Sequence, residues 1–88
     1  MEEKSYTYIV ECSDGTFYTG WTLDLNKRIE EHNNGTGAKY TRTRRPVKLV
    51  YSQKFDTRAK ASQREYQIKD LTRKEKQKLI YENSNSNT

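Results

Sequence analysis

Eighty-eight residues, only 31% of them hydrophobic, make one small domain with a thin core and leave no room for a second. Seventeen Lys and Arg stand against twelve Asp and Glu, and the net charge of +5 points to a polyanionic partner. A single cysteine, Cys12, excludes an internal disulfide and a cysteine-rich metal site; no apolar run reaches signal-peptide or membrane-span length, so a cytoplasmic protein without a membrane partner is expected.

In chain order, residues 5–12 and 16–21 are rich in Tyr, Thr, Ile and Val and predict two strands joined at "SDG" (13–15). The length of that turn decides where two phenols point. A two-residue Asp14-Gly15 turn sets Tyr8 opposite Trp21 and Tyr18 opposite Glu11, on opposite faces. A three-residue Ser13-Asp14-Gly15 loop, with Gly15 left-handed, sets Tyr8 opposite Gly20 and Tyr18 opposite Val10, on one face. The glycine in third place predicts the second arrangement.

Asp24 caps a helix whose stripe is Leu25, Ile29 and His32, and "NNGTG" (33–37) ends it. "KYTRTRRPVK" (39–48) is expected to be a basic loop closed by Pro46, holding Lys39, Arg42, Arg44, Arg45 and Lys48 with no acid. A third strand follows over 47–55, then a helix over 56–71 with Asp56 and Thr57 as candidate caps. "TRKE" (72–75) has the capping-box pattern and starts a last helix through about Tyr81. Residues 1–81 are thus one domain and 82–88 a flexible polar tail. The order ββαβαα gives an α+β class, a small three-stranded antiparallel sheet with flanking helices. Its expected core is Ile9, Val10, Phe17, Trp21, Leu25, Ile29, Val47, Leu49, Val50, Phe55, Ile68, Leu71, Leu79 and Ile80.

The informative residues break the binary pattern. His32 lies on an apolar stripe with Arg28 one turn before it, and Glu65 lies between Ala61 and Ile68 on the next long helix. A carboxylate there needs a cation, a metal or a cleft open to water. Each has a bland alternative. Glu65 is then a boundary residue paired with Arg64 or Lys69, His32 a satisfied boundary histidine, Arg28 a solvated helix arginine, and the tyrosines aromatic packing with a wet polar end.

"YTYIV" (6–10), "FYTG" (17–20), "DLNKRIEEHN" (24–33), "GAKYTRTRRPVKLVY" (37–51) and "REYQIKDLTRKEK" (64–76), in that order, resemble the GIY-YIG nuclease superfamily, specifically its small stand-alone branch. Of the first name-giving triplet only Tyr8 is kept; of the second, Tyr18 and Gly20 are kept. The resemblance implies a site of Tyr8, Tyr18, Arg28, His32 and Glu65, with Glu65 holding one divalent ion, Mg²⁺ or Mn²⁺. On that basis Arg28 offers its planar fork to phosphate and Tyr8 is the candidate general base, its phenol pKa lowered by nearby cations. Tyr18 orients water or phosphate, and His32 shares the proton transfer in an order the sequence does not rank.

The basic loop would track a phosphate backbone, with Tyr40 stacking on a base or covering the sheet edge, and Lys69 neutralising phosphate or forming a surface ion pair. The reading is a metal-dependent endonuclease acting on structured or single-stranded DNA, ahead of RNA, in repair or recombination. A targeting protein is a candidate second partner, because no second DNA-binding domain is present in the sequence. The alternatives are a non-catalytic nucleic-acid-binding module of the same fold, or a protein-interaction domain for an acidic partner.

Overall fold

A computed structural model describes residues 4–85. Its elements are β1 (Ser5–Glu11), β2 (Phe17–Thr22), α1 (Leu25–Asn34), α2 (Lys39–Arg42), β3 (Lys48–Phe55), α3 (Arg58–Lys69) and α4 (Arg73–Asn85). The sheet is antiparallel in the order β2-β1-β3, so the first strand is its centre. That position explains why Thr7, Tyr8, Ile9 and Val10 are all buried: both faces of β1 are covered, and alternation disappears. On one face Tyr8, Val10, Cys12 and Val47 pack with Tyr18 and with Leu25 and Ile29 of α1. On the other, Ile9, Tyr51 and Ile68 pack with Phe17, Val50, Leu79 and Ile80.

The hairpin has the three-residue loop. Cys12 N–H donates to Thr16 O at 2.8 Å, Gly15 takes φ 83°, and the register pairs Tyr8 with Gly20 and Val10 with Tyr18. Both phenols therefore lie on the α1 face. Asp24 caps α1 by accepting from Lys27 N–H at 3.1 Å, and Gly35 closes it at φ 82°. Thr57, rather than Asp56, caps α3, while Asp56 pairs with Lys4 at 3.0 Å. Thr72 and Glu75 form the reciprocal box that starts α4, at 2.8 and 3.2 Å. The Thr7 hydroxyl donates to Ala61 O at 2.7 Å and clamps α3 to the central strand one turn before Glu65.

Four expectations are corrected. The basic segment is not all loop: Lys39–Arg42 form a single helical turn, because Thr41 N–H and the Thr41 hydroxyl both bond Ala38 O. The last helix runs on through Asn85 instead of stopping near Tyr81, so residues 82–85 are not tail, and 86–88 lie outside the described residues. Leu49 is 38% exposed, on an edge strand where the β1–β3 register shifts between Ile9 and Val10. Trp21 is half-buried and packs into neither of the two core clusters.

The shared phenol face has a strict steric requirement. A Cβ added at Gly20 would stand 2.7 Å from Tyr8 Oη and 2.9 Å from Cζ, and the fully buried ring has nowhere to move. Gly20→Ala is expected to lower stability by about 1–3 kcal/mol in urea denaturation, as overpacking of a tight core does. A midpoint equal to that of the parent chain would mean the phenol is not seated against β2.

Candidate active site

Tyr8 projects from the middle of β1 and is completely buried, so its hydroxyl must find partners inside the protein. His32, on the inner stripe of α1, places Nε2 2.8 Å from Tyr8 Oη. The Nδ1 of the same ring lies 2.8 Å from Thr41 Oγ1. Thr41 Oγ1 in turn donates to Ala38 O at 3.0 Å. Those three contacts assign the protons. A carbonyl only accepts, so the Thr41 proton goes to Ala38 O, Thr41 Oγ1 accepts from His32 Nδ1–H, and the Nε2 lone pair faces the phenol O–H.

Burial decides the charges along this chain. It pushes the Tyr8 phenol up to about 12, outweighing the lowering by the hydrogen bond and charge of Arg28, and the charges of Tyr18 and Glu65 add to the rise. The expectation that neighbouring cations lower the Tyr8 pKa is therefore reversed. Burial, with Arg28 second, pulls the His32 pKa below its ordinary value and keeps the imidazole neutral near pH 7. The pair is thus a neutral acid hydrogen-bonded to a neutral base.

Arg28, one turn before His32, completes the cluster. Its Nε donates to Tyr8 Oη at a long 3.4 Å, and its Nη1 is 3.3 Å from Glu31 Oε1 with both side chains about a third exposed. Neither contact is strong, so the guanidinium is available to an anion. Tyr18 sits edge-on to His32 with ring centroids 5.3 Å apart, and its far side stacks on Tyr40 at 6.0 Å and 22°.

Glu65 is 16% exposed on α3 between the buried Ala61 and Ile68, and its charge reaches the Tyr8 phenol. Its partner is Lys69, at 3.3 Å, whereas Arg64 turns to Gln53 and Gln67. Among the described residues no group of three or more His, Cys, Asp or Glu converges as a metal site. A lone, shielded carboxylate whose paired lysine is half-exposed suits a hard cation that keeps its remaining ligands as water and phosphate oxygen. The five site residues, from the hairpin, α1 and α3, thus share one neighbourhood.

The basic segment divides. Arg44 is committed within the fold: it pairs with Asp14 at 3.1 Å, donates to Tyr40 O at 2.8 Å and lies 4.0 Å over the Tyr40 ring. Arg45 donates to Arg42 O and Asn33 O. Lys39, Arg42 and Lys48 are exposed. Tyr40 has Tyr18 against it on one side and Arg44 on the other, so a base stacking there would displace Arg44. Lys69 is exposed beside Glu65. Sequence reasoning missed Thr41, the acceptor for His32; its position inside a basic run carries no periodic signal.

Comparison with known proteins agrees over nearly the whole chain. The family model described as the GIY-YIG catalytic domain matches residues 4–79. A UPF0213 protein of Staphylococcus saprophyticus is 58% identical over 80 residues, spanning 91% of this chain and 98% of the relative. One from Staphylococcus epidermidis is 52% identical with the same coverage. The solution NMR structure of a UPF0213 protein from Bacillus halodurans has a TM-score of 0.58 at 45% identity, covering 89% of this chain and 83% of that one.

His32 is the sequence's one histidine, so its imidazole can be followed without overlap. Long-range ¹H–¹⁵N NMR is expected to show the Nδ1–H tautomer in the parent chain and in Thr41→Ser, and a tautomer mixture in Thr41→Val, which cannot accept from Nδ1. A histidine pKa held down in the folded state also makes the unfolded chain take up the proton first on acidification. Stability is therefore expected to fall as pH drops below about 6.5, and His32→Gln should remove that part of the decline. Urea midpoints between pH 7 and 5 measure it.

Proposed function

The chain belongs to the GIY-YIG catalytic-domain family, and from that premise we propose that it is a metal-dependent endonuclease hydrolysing phosphodiester bonds in DNA, on single-stranded or structured substrates, in repair or recombination. The observation that carries this reading is the buried Tyr8–His32 pair beneath Arg28 and beside Glu65.

A phenol with a pKa near 12 does not act as a standing phenolate. Tyr8 instead relays: its oxygen takes a proton from the attacking water while its own proton passes to His32 Nε2 over 2.8 Å. Thr41 holds the ring so that Nε2 is the open nitrogen. The water oxygen forms the new bond to phosphorus, the bond to the leaving oxygen breaks, and that oxygen takes up a proton from solvent, to which His32 later returns its own. Arg28 turns from Glu31 to the non-bridging oxygens, where charge builds, and in turning it uncovers the phenol. Tyr18, fixed by contact with His32 and Tyr40, borders the same space and orients the phosphate. Glu65 would hold a Mg²⁺ or Mn²⁺ ion, which supplies charge stabilisation at phosphate oxygen.

The complete burial of Tyr8 favours a second reading, a nucleic-acid-binding module in which the phenol–imidazole pair only holds the fold and the exposed Lys39, Arg42 and Lys48 bind phosphate. A protein that supplies targeting fits either reading.

End-labelled single-stranded, duplex, flapped and branched DNA, incubated with Mg²⁺ or with EDTA, separates the two. Metal-dependent cutting is expected from the parent chain, with loss in Glu65→Ala and a fall on the order of 100-fold in Arg28→Ala, while binding in EDTA is retained. Binding with no cutting of any substrate would leave the binding module standing.

A further inference from the structure

The edge of β2 carries a groove that neither the relay nor the basic segment accounts for. It encloses about 240 Å³ and is lined by Phe17, Tyr18, Thr19, Tyr40, Lys69 and Lys76. Two observations mark it as a ligand path. Its lining holds two cations and no acid, and Arg73 adds a third cation 4.9 Å over the Phe17 ring. It begins at the cluster already described, since Tyr18 touches His32 and Lys69 pairs with Glu65. Thr19 also lines it, but its hydroxyl is sealed from the groove and offers a ligand no contact.

We propose that this groove binds the sugar–phosphate backbone of the DNA strand on one side of the bond being cut, with Lys76 as its phosphate anchor. The proposal rests on the nuclease reading for the strand's identity, and it adds a direction: the strand leaves the Tyr18–Glu65 end and crosses the edge of β2 onto the α3–α4 corner. Lys76 lies on the first turn of α4, is half-buried and lines the groove beside Phe17, so less of its side-chain freedom is left to lose on binding than for an exposed lysine. Lys69 has two uses. It pairs with Glu65 in this structure, and it would be free to meet the phosphate next to the cut if Glu65 held a divalent cation. An aromatic rim of Phe17, Tyr18 and Tyr40 suits a sugar or base edge beside those phosphates.

Lys78 provides an internal control. It is on the same helix, carries the same charge, is exposed and does not line the groove. Fluorescence anisotropy with a labelled DNA flap, in EDTA so that no cutting occurs, is run across a salt series on the parent chain, Lys76→Ala and Lys78→Ala, with thermal melts to confirm that each is folded. Lys76→Ala is expected to weaken binding several-fold and to reduce the slope of log affinity against log salt by about 1, with Lys78→Ala near the parent slope. In the parent chain, the Phe17, Thr19 and Lys76 amide resonances should shift on titration. Equal effects of the two lysine variants, or no shift at those amides, would overturn the groove. Because the readout is binding, Lys76-dependent binding without Mg²⁺-dependent cutting would sink the nuclease and keep the groove. Robust cutting with no Lys76 dependence would do the reverse.

Discussion

The phenol of Tyr8, buried in the central strand and bonded to His32 Nε2 at 2.8 Å, constrains more of this molecule than any other contact. A hydroxyl with no access to water has to be satisfied from within, and here the partner comes from α1, twenty-four residues on. Several features follow from that requirement. The hairpin needs a three-residue loop, since the alternative turn would put Tyr8 and Tyr18 on opposite faces. The strand opposite needs a glycine, because Gly20 faces the hydroxyl at van der Waals limit. Past the helix, a Cβ at Gly37 would stand 2.7 Å from His32 Nδ1 and 2.9 Å from its Cα, so the chain leaving α1 can also pass the imidazole only as glycine.

A core this small is stabilised by polar contacts as much as by area. The Asn33 side chain acts as an extra strand residue, accepting from Val47 N–H at 2.7 Å and donating to Val47 O at 3.2 Å. Arg44 reaches back to Asp14 in the hairpin turn, and Ser13 donates through both its amide and its hydroxyl to Arg44 O. The basic segment is therefore fastened to the hairpin turn and to the end of α1. Its net positive charge overstates what is available to a ligand: the guanidinium groups of Arg44 and Arg45 bond the protein itself, leaving Lys39, Arg42 and Lys48 outward.

What was legible in the sequence was what short-range chemistry controls. Gly15 in third place specified the turn and hence the register. Asp24, Thr57 and the Thr72–Glu75 box marked helix starts because caps act within three residues. His32 and Glu65 stood out because a helical stripe makes polar intrusions visible. The rest depends on contacts between distant segments. Thr41 looked like a loop residue because nothing local says that His32 lies across from it. The direction of the Tyr8 pKa is not legible in the sequence, because cations can be counted there, whereas the burial that outweighs them cannot. Leu49 fits a strand pattern and is exposed because a register shift on an edge strand is not encoded in alternation.

The single turn of α2 joins these two kinds of feature. Its Lys39 and Arg42 are exposed, while Thr41 between them is fully buried against His32. One turn of helix has no independent stability, so its place is set by the Thr41–His32 and Thr41–Ala38 bonds inside and the Arg44 contacts outside. On the nuclease reading proposed above, a phosphate backbone drawn to Lys39 and Arg42 would pull on the same few residues that set which imidazole nitrogen faces Tyr8. The placing of the exposed cations and the orientation of the imidazole are then not separate properties of separate parts. They are coupled through one hydroxyl, which accepts the imidazole N–H only while α2 keeps its place.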